Sequence, residues 1–106
     1  MKTDIYLNSR DSLFQAKGIY TPEQTTVLKG SVINTTFSTS EKFKGSDLVL
    51  SIRNDRAIVD EKGVLLKDYS FASPSTAAQF VTGRSSNGYV AWRVDEHTSL
   101  KRFMGK

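Results

Sequence analysis

The side chains that could do chemistry in this chain are few and badly placed for it. His97 is the only histidine, and it stands between Glu96 and Thr98 in a polar segment. A nucleophile paired with a base needs that base held beside it, and a solvated tail does not hold it. The carboxylates of Asp60-Glu61 and Asp95-Glu96 are adjacent pairs, next to a lysine or in loop-like sequence. Acid–base catalysis wants two carboxyls facing one substrate from different environments, so solvated surface explains these pairs better. There are no cysteines, which removes thiolate chemistry, zinc–cysteine sites and disulfides together. Neither the count nor the spacing of His, Asp and Glu makes a metal site, and no glycine-rich phosphate loop is present. The expectation is a non-enzymatic protein with no cofactor and no metal.

What remains is charge and hydrogen-bonding capacity. Fifteen Lys and Arg against eleven Asp and Glu leave a formal charge of +4 over 106 residues. The excess is local: residues 46–83 hold four basic and five acidic groups, and residues 84–106 hold five and two. A mildly basic domain favours polyanions through phosphate contacts, although an ordinary solvated surface also carries such a charge.

The length suits one domain, 1–106, with a hydrophobic content of 38% and a charged content of 25% that are ordinary for a globular protein. The N-terminus lacks the apolar run of a signal peptide and no stretch approaches a membrane span, so a cytoplasmic location away from membranes is expected.

The elements that must position any site follow from periodicity. Ile5 and Leu7, then Phe14, Ala16 and Gly18, then Val27, Leu28 and Val32 predict three short antiparallel strands, with a turn at Thr21-Pro22-Glu23-Gln24. Gly30 reads as a strand bulge. Residues 34–45 are polar, without apolar period, and read as a flexible loop. Ser46-Asp47 would start a helix running to about 60 through Leu48, Ile52 and Ile58, with Arg53 and Arg56 outside. The alternative is a hairpin with Leu48-Val49-Leu50-Ser51-Ile52 as a strand and Asn54-Asp55 as its turn. Gly63 ends either element, and Val64-Leu65-Leu66 continues extended towards Tyr69 and Phe71.

The stretch from Phe71 to Trp92 is the most informative. Ser73 is an N-cap before Pro74 at the first helical position; Ala77, Ala78, Phe80 and Val81 supply a buried face, and Gly83 is a left-handed terminator. Asn87-Gly88 reads as a turn, followed by a strand through Tyr89, Val90, Ala91, Trp92 and Arg93. Residues 99–104 could form one last helical turn. The fold class predicted is α+β: a mostly antiparallel sheet of about four strands packed against two helices, near 46–60 and at 74–82.

Gly18-Ile19-Tyr20 spells the first half of the GIY-YIG nuclease signature. Its second half should follow about ten residues on, where the chain reads Val27-Leu28-Lys29-Gly30, so that assignment fails.

Four motifs together carry a resemblance: Ala16-Lys17-Gly18-Ile19-Tyr20, Val27-Leu28-Lys29-Gly30-Ser31, Tyr69-Ser70-Phe71-Ala72-Ser73-Pro74-Ser75-Thr76-Ala77-Ala78, and Gly83-Arg84-Ser85-Ser86-Asn87-Gly88-Tyr89-Val90-Ala91-Trp92. Over about residues 14–103 the chain resembles the small domain of unknown function found at the C-terminus of GIY-YIG nuclease and restriction–modification proteins. That family is related to the restriction-system adenine-methylase-associated domain, thought to read DNA. The resemblance implies a non-catalytic accessory module that binds nucleic acid, DNA foremost, with a nuclease or methyltransferase as a possible partner protein. A protein–protein docking domain in a restriction or repair assembly is the alternative.

The candidate binding residues are Arg84, Asn87, Tyr89, Lys29, Ser31, Ser73 and Arg93. Arg84 follows the glycine terminator in a polar loop, and its planar fork suits a phosphate or a guanine edge. The Asn87 carboxamide could meet an adenine edge, with Tyr89 beside it. Ser73 is a cap or a phosphate ligand at a helix N-terminus, and Arg93 adds charge nearby. Lys29 and Ser31 enter through the Lys-Gly-Ser pattern of the family.

Overall fold

The computed structural model describes residues 2–9, 14–34, 46–83 and 87–105. Two of the first three strands form where alternation places them, β1 (Thr3–Asn8) and β2 (Gln15–Tyr20); the third, expected through Val27, Leu28 and Val32, is the shorter β3 (Thr25–Val27), with Val32 left in isolated bridges to Gln15 and Val64. Ile5, Leu7, Ala16 and Val27 face the core, while the residues between them face outward. The turn at Thr21 closes as expected, with the Thr21 N–H donating to Gln24 O at 2.9 Å and Thr21 Oγ1 accepting from the Gln24 N–H at 3.2 Å.

The rest of the sheet is larger than predicted. Among the described residues it has six strands rather than four: β4 (Tyr69–Phe71), β5 (Arg93–Asp95) and β6 (Thr98–Ser99) join in the order β4-β3-β2-β1-β5-β6, every neighbour antiparallel. Strands this short carry too little pattern to read singly, and they are fixed by pairing with the long central hairpin. Val64 and Leu65 are extended, bridging Val32 and Val59. Gly30, with φ of 91°, makes a turn outside the strands instead of the bulge expected there.

Four helices replace the two expected among the described residues: α1 (Ser46–Arg53), α2 (Pro74–Thr82), α3 (Gly88–Ala91) and α4 (Leu100–Phe103). The helix alternative for 46–60 holds over the hairpin, but it stops at Arg53. Asp55 ends it by accepting the Ala57 N–H on its own carboxylate at 2.9 Å and by starting a turn through Ile58 and Val59. Arg53 is the second correction to this segment: it is buried, not outside, and its guanidinium donates to the carbonyls of Phe80 and Asn34. Burial lowers its pKa to about 10, so it stays charged at neutral pH. Arg56 is exposed as expected.

Helix α2 matches the reading in every local signal. Ser73 caps it through the Thr76 N–H at 3.2 Å, Pro74 opens it, and Gly83 closes it at φ 79° with its N–H donating to Gln79 O. Residues 89–91, expected as strand, are helical, and the strand begins only at Arg93. The predicted last helical turn is α4, capped by Ser99.

Candidate nucleic-acid interface

The segment with the most distinctive residues folds into a clasp in which side-chain and main-chain groups bond across the starts of two helices. Ser75 Oγ accepts the Gly88 N–H at 3.0 Å, and the Trp92 indole N–H donates to Pro74 O at 3.0 Å. Gly88 packs directly on the α2 start, where a β-carbon would overlap the Pro74 carbonyl group. Asn87 Oδ1 accepts the Tyr89 N–H at 3.1 Å, which makes Asn87 the N-cap of α3. The Trp92 ring is fully buried, as expected of a core residue. Ser73 and Asn87 thus each spend a side-chain oxygen on a helix end.

Tyr89 is half-buried, its ring edge-on to Tyr20 with centroids 6.5 Å apart. Burial, and then the hydrogen bond and proximity of Tyr89, raise the pKa of the Tyr20 phenol. Arg84 lies outside the described residues, and so does the loop expected at 34–45 except for Asn34, whose N–H donates to Val81 O at 2.8 Å.

Ser31 is buried, and its hydroxyl closes a two-way contact with the Lys17 main chain, accepting the N–H at 3.1 Å and donating to the carbonyl at 3.3 Å. Lys29 is exposed, and its main-chain N–H donates to the Asp68 carboxylate at 2.7 Å. Its neighbours in a shallow groove include Gln15, Lys17 and Leu28.

Arg93 is exposed on the sheet face turned away from the core. The register there brings together residues far apart in sequence. Tyr6 of β1 pairs with Lys17 of β2 on one side and with Arg93 of β5 on the other. Partners in register share a face, so Lys17, Tyr6 and Arg93 form one row across three strands with the aromatic ring in the middle. Tyr6 is 36% exposed, so its ring is accessible on the face turned away from the core. A second groove runs beside it, lined by Tyr6, Asn8, Arg93 and Val94 with Asp95 and Glu96 at its end.

The surroundings of this row are polar and graded. Thr26 Oγ1 and Ser70 Oγ share a hydrogen bond of 2.8 Å further along the face. Asp4 and Asp95 lie to the same end of the row, because β1 and β5 run antiparallel from the Tyr6–Arg93 pair. Asn8 and Gln15 lie paired at the other end. The Asp95 carboxylate accepts the His97 N–H at 2.8 Å; that bond, and a further one from the Thr98 side chain, lower its pKa. Arg93 reaches over the same turn, donating to Glu96 O at 3.4 Å.

Of the candidates, then, Lys29 and Arg93 border the exposed sheet face, Ser31 supports the Lys17 backbone beneath it, and Ser73, Asn87 and Tyr89 belong to the clasp. Tyr6 and Lys17 are the residues that sequence reasoning missed. Their signal was the outward half of the β1 and β2 alternation, which marks exposure but not which exposed residues become neighbours. His97 lies 3.9 Å from Glu96, with both side chains at least 90% exposed, so the pair is solvated. No group of three or more His, Asp or Glu that could hold a metal occurs among the described residues, and no helix among them is long and apolar enough to cross a membrane.

The chain belongs to the family described as Domain of unknown function (DUF4357), whose family model matches residues 5–104. No curated protein and no solved structure matches it.

Proposed function

We propose that this DUF4357 domain is a non-catalytic nucleic-acid-binding accessory module, with DNA as its foremost ligand, that serves nuclease or restriction–modification systems. The observation that carries the reading is the row Lys17–Tyr6–Arg93 on an exposed sheet face. Cations on both sides of an aromatic ring suit a polyanion whose bases have π faces, and the net charge of +4 has the matching sign. The association with nuclease and restriction systems is supported by the motif resemblance alone.

The test is fluorescence anisotropy of labelled DNA, duplex and single-stranded, at two salt concentrations. Binding is expected to weaken with salt, and Lys17→Ala and Arg93→Ala are each expected to weaken it further and to flatten the salt dependence. Unchanged anisotropy with micromolar protein at low salt sinks the proposal.

A docking domain for a protein partner is the second reading. Val90 on α3 and Phe103 on α4 are 53% and 51% exposed, and the two helices pack together. Exposed apolar side chains on two neighbouring helices suit a protein surface. Failure of all DNA binding would move the weight to that reading.

A further inference from the structure

We propose that the open sheet face takes single-stranded nucleic acid, with a base stacked on Tyr6 and the flanking phosphates held by Lys17 and Arg93. This rests on the nucleic-acid reading above and specifies the ligand class.

Width argues first. Six neighbouring strands, spaced by about 4.8 Å, make a face more than about 20 Å across. The major groove of a duplex is about 12 Å wide, so it admits a helix or a two-stranded ribbon but not this face. A sheet presented broadside meets only the phosphate ridges of a duplex, and an aromatic ring at its middle would then touch nothing. Unstacked bases lie flat on such a surface.

The position of Tyr6 argues second. It sits on the central strand pair rather than at the rim, it faces away from the core, and its ring is not needed to fill the interior. Lys17 and Arg93 stand one strand away on either side, about 10 Å from each other by strand spacing. The long Lys17 and Arg93 side chains can close that separation onto phosphates of an extended single strand, and a base between them falls over the ring.

Charge sets the path. Asp4 and Asp95 repel phosphate at one end of the row, whereas Asn8, Gln15 and, beyond them, Lys29 do not at the other. The strand therefore crosses from the Lys29–Lys17 side over Tyr6 to Arg93, whose guanidinium leaves its long bond to Glu96 O to meet the phosphate, keeping clear of Asp4 and Asp95.

The experiment titrates the full chain into fluorescein-labelled oligodeoxythymidine of about 12 nucleotides and, separately, a duplex of equal length. The single strand is expected to bind about tenfold or more tightly than the duplex. Tyr6→Ala should weaken oligodeoxythymidine binding by about tenfold, Tyr6→Phe should retain it, and Asp4→Asn should strengthen it. The buried Trp92 emission reports whether each variant is folded, and Tyr6→Leu, which keeps bulk without a π face, should behave like Tyr6→Ala. Duplex binding equal to or tighter than single-strand binding overturns this inference and leaves the nucleic-acid reading standing. So does a Tyr6→Leu variant that binds like the wild type. Absence of binding to both probes removes both.

Discussion

Gly88 lies so close to Pro74 that a β-carbon on it would stand 2.1 Å from the Pro74 carbonyl carbon and 2.2 Å from its oxygen. Backbone cannot move aside as a flexible side chain can. Gly88→Ala should therefore lift α3 off α2 and destabilise the domain by about 3 kcal/mol or more. Ser75→Ala removes only the hydroxyl that accepts the Gly88 N–H and should lose about 1 kcal/mol. Urea melts followed by Trp92 emission compare the two; a Gly88→Ala melt within 1 kcal/mol of the wild type, on the order of one ordinary hydrogen bond, contradicts the close approach.

Gly18 occupies a comparable position inside the sheet. A methyl there would meet Thr26 O at 2.8 Å, the Ile5 side chain at 3.3 Å and the Trp92 ring at 3.4 Å. Gly18→Ala is expected to lose about 1 to 3 kcal/mol. Trp92→Phe, which removes ring volume and the bond to Pro74 O, should lose a similar amount. The tight contact is with the Thr26 backbone oxygen, which Trp92→Phe leaves in place, so in the double variant the two losses should come close to adding. Far-UV circular dichroism is the readout, since the only tryptophan is gone.

Arg53 holds two carbonyls from a buried position. Arg53→Ala should destabilise by about 2 to 4 kcal/mol, because two charge-assisted bonds are lost. Arg53→Lys keeps the charge but cannot reproduce the two-pronged geometry, and it should recover only part of that. Full recovery by lysine would mean that charge rather than the fork is what the site requires.

Acid sensitivity has a specific origin. The Asp60 carboxylate accepts the N–H groups of Val64 at 2.9 Å and Lys62 at 2.8 Å, and these, Val64 foremost, hold its pKa below the ordinary 3.8. Asp95 is lowered in the same direction by His97 and Thr98. A lowered carboxyl contributes stability that is present above its unfolded value and is lost as pH falls through the folded one. Stability should therefore decline below about pH 4, and Asp60→Asn should make that decline shallower while lowering stability at neutral pH. An unchanged acid limb in the variant would assign the sensitivity to other groups.

Thr25 is fully buried, and its Oγ1 has no hydrogen-bond partner among the described residues. Thr25→Val replaces that hydroxyl by a methyl of the same shape. The melt should be unchanged or shifted upward by about 1 kcal/mol, whereas a comparable loss would reveal a hydroxyl partner.

Legibility in the sequence followed the range of the forces involved. Helix α2 was readable end to end because Ser73, Pro74 and Gly83 act within a few residues of themselves. Residues 89–91 were misread because Asn87-Gly88 suits a hairpin turn and a helix cap equally, and aromatic and β-branched residues follow. The choice is made by Ser75 and Pro74, thirteen and fourteen positions away from Gly88. Arg53 was misplaced because the carbonyls it serves belong to Phe80 and Asn34, and no local pattern announces a distant acceptor. The candidate site shows the same limit. Lys29 and Arg93 are at the exposed face, but its centre, Tyr6 between Lys17 and Arg93, exists only through strand pairing. Arg84 lies outside the described residues.

Because the clasp between Pro74, Ser75, Gly88 and Trp92 is built from main-chain atoms, the Ser75 hydroxyl and one indole, the side chains of the open sheet face make none of its hydrogen bonds. Substitution at Tyr6, Lys17 or Arg93 removes none of those hydrogen bonds. The clasp and the open face thus answer to different constraints: one leaves no room for an added β-carbon, and the other presents side chains that the clasp does not use.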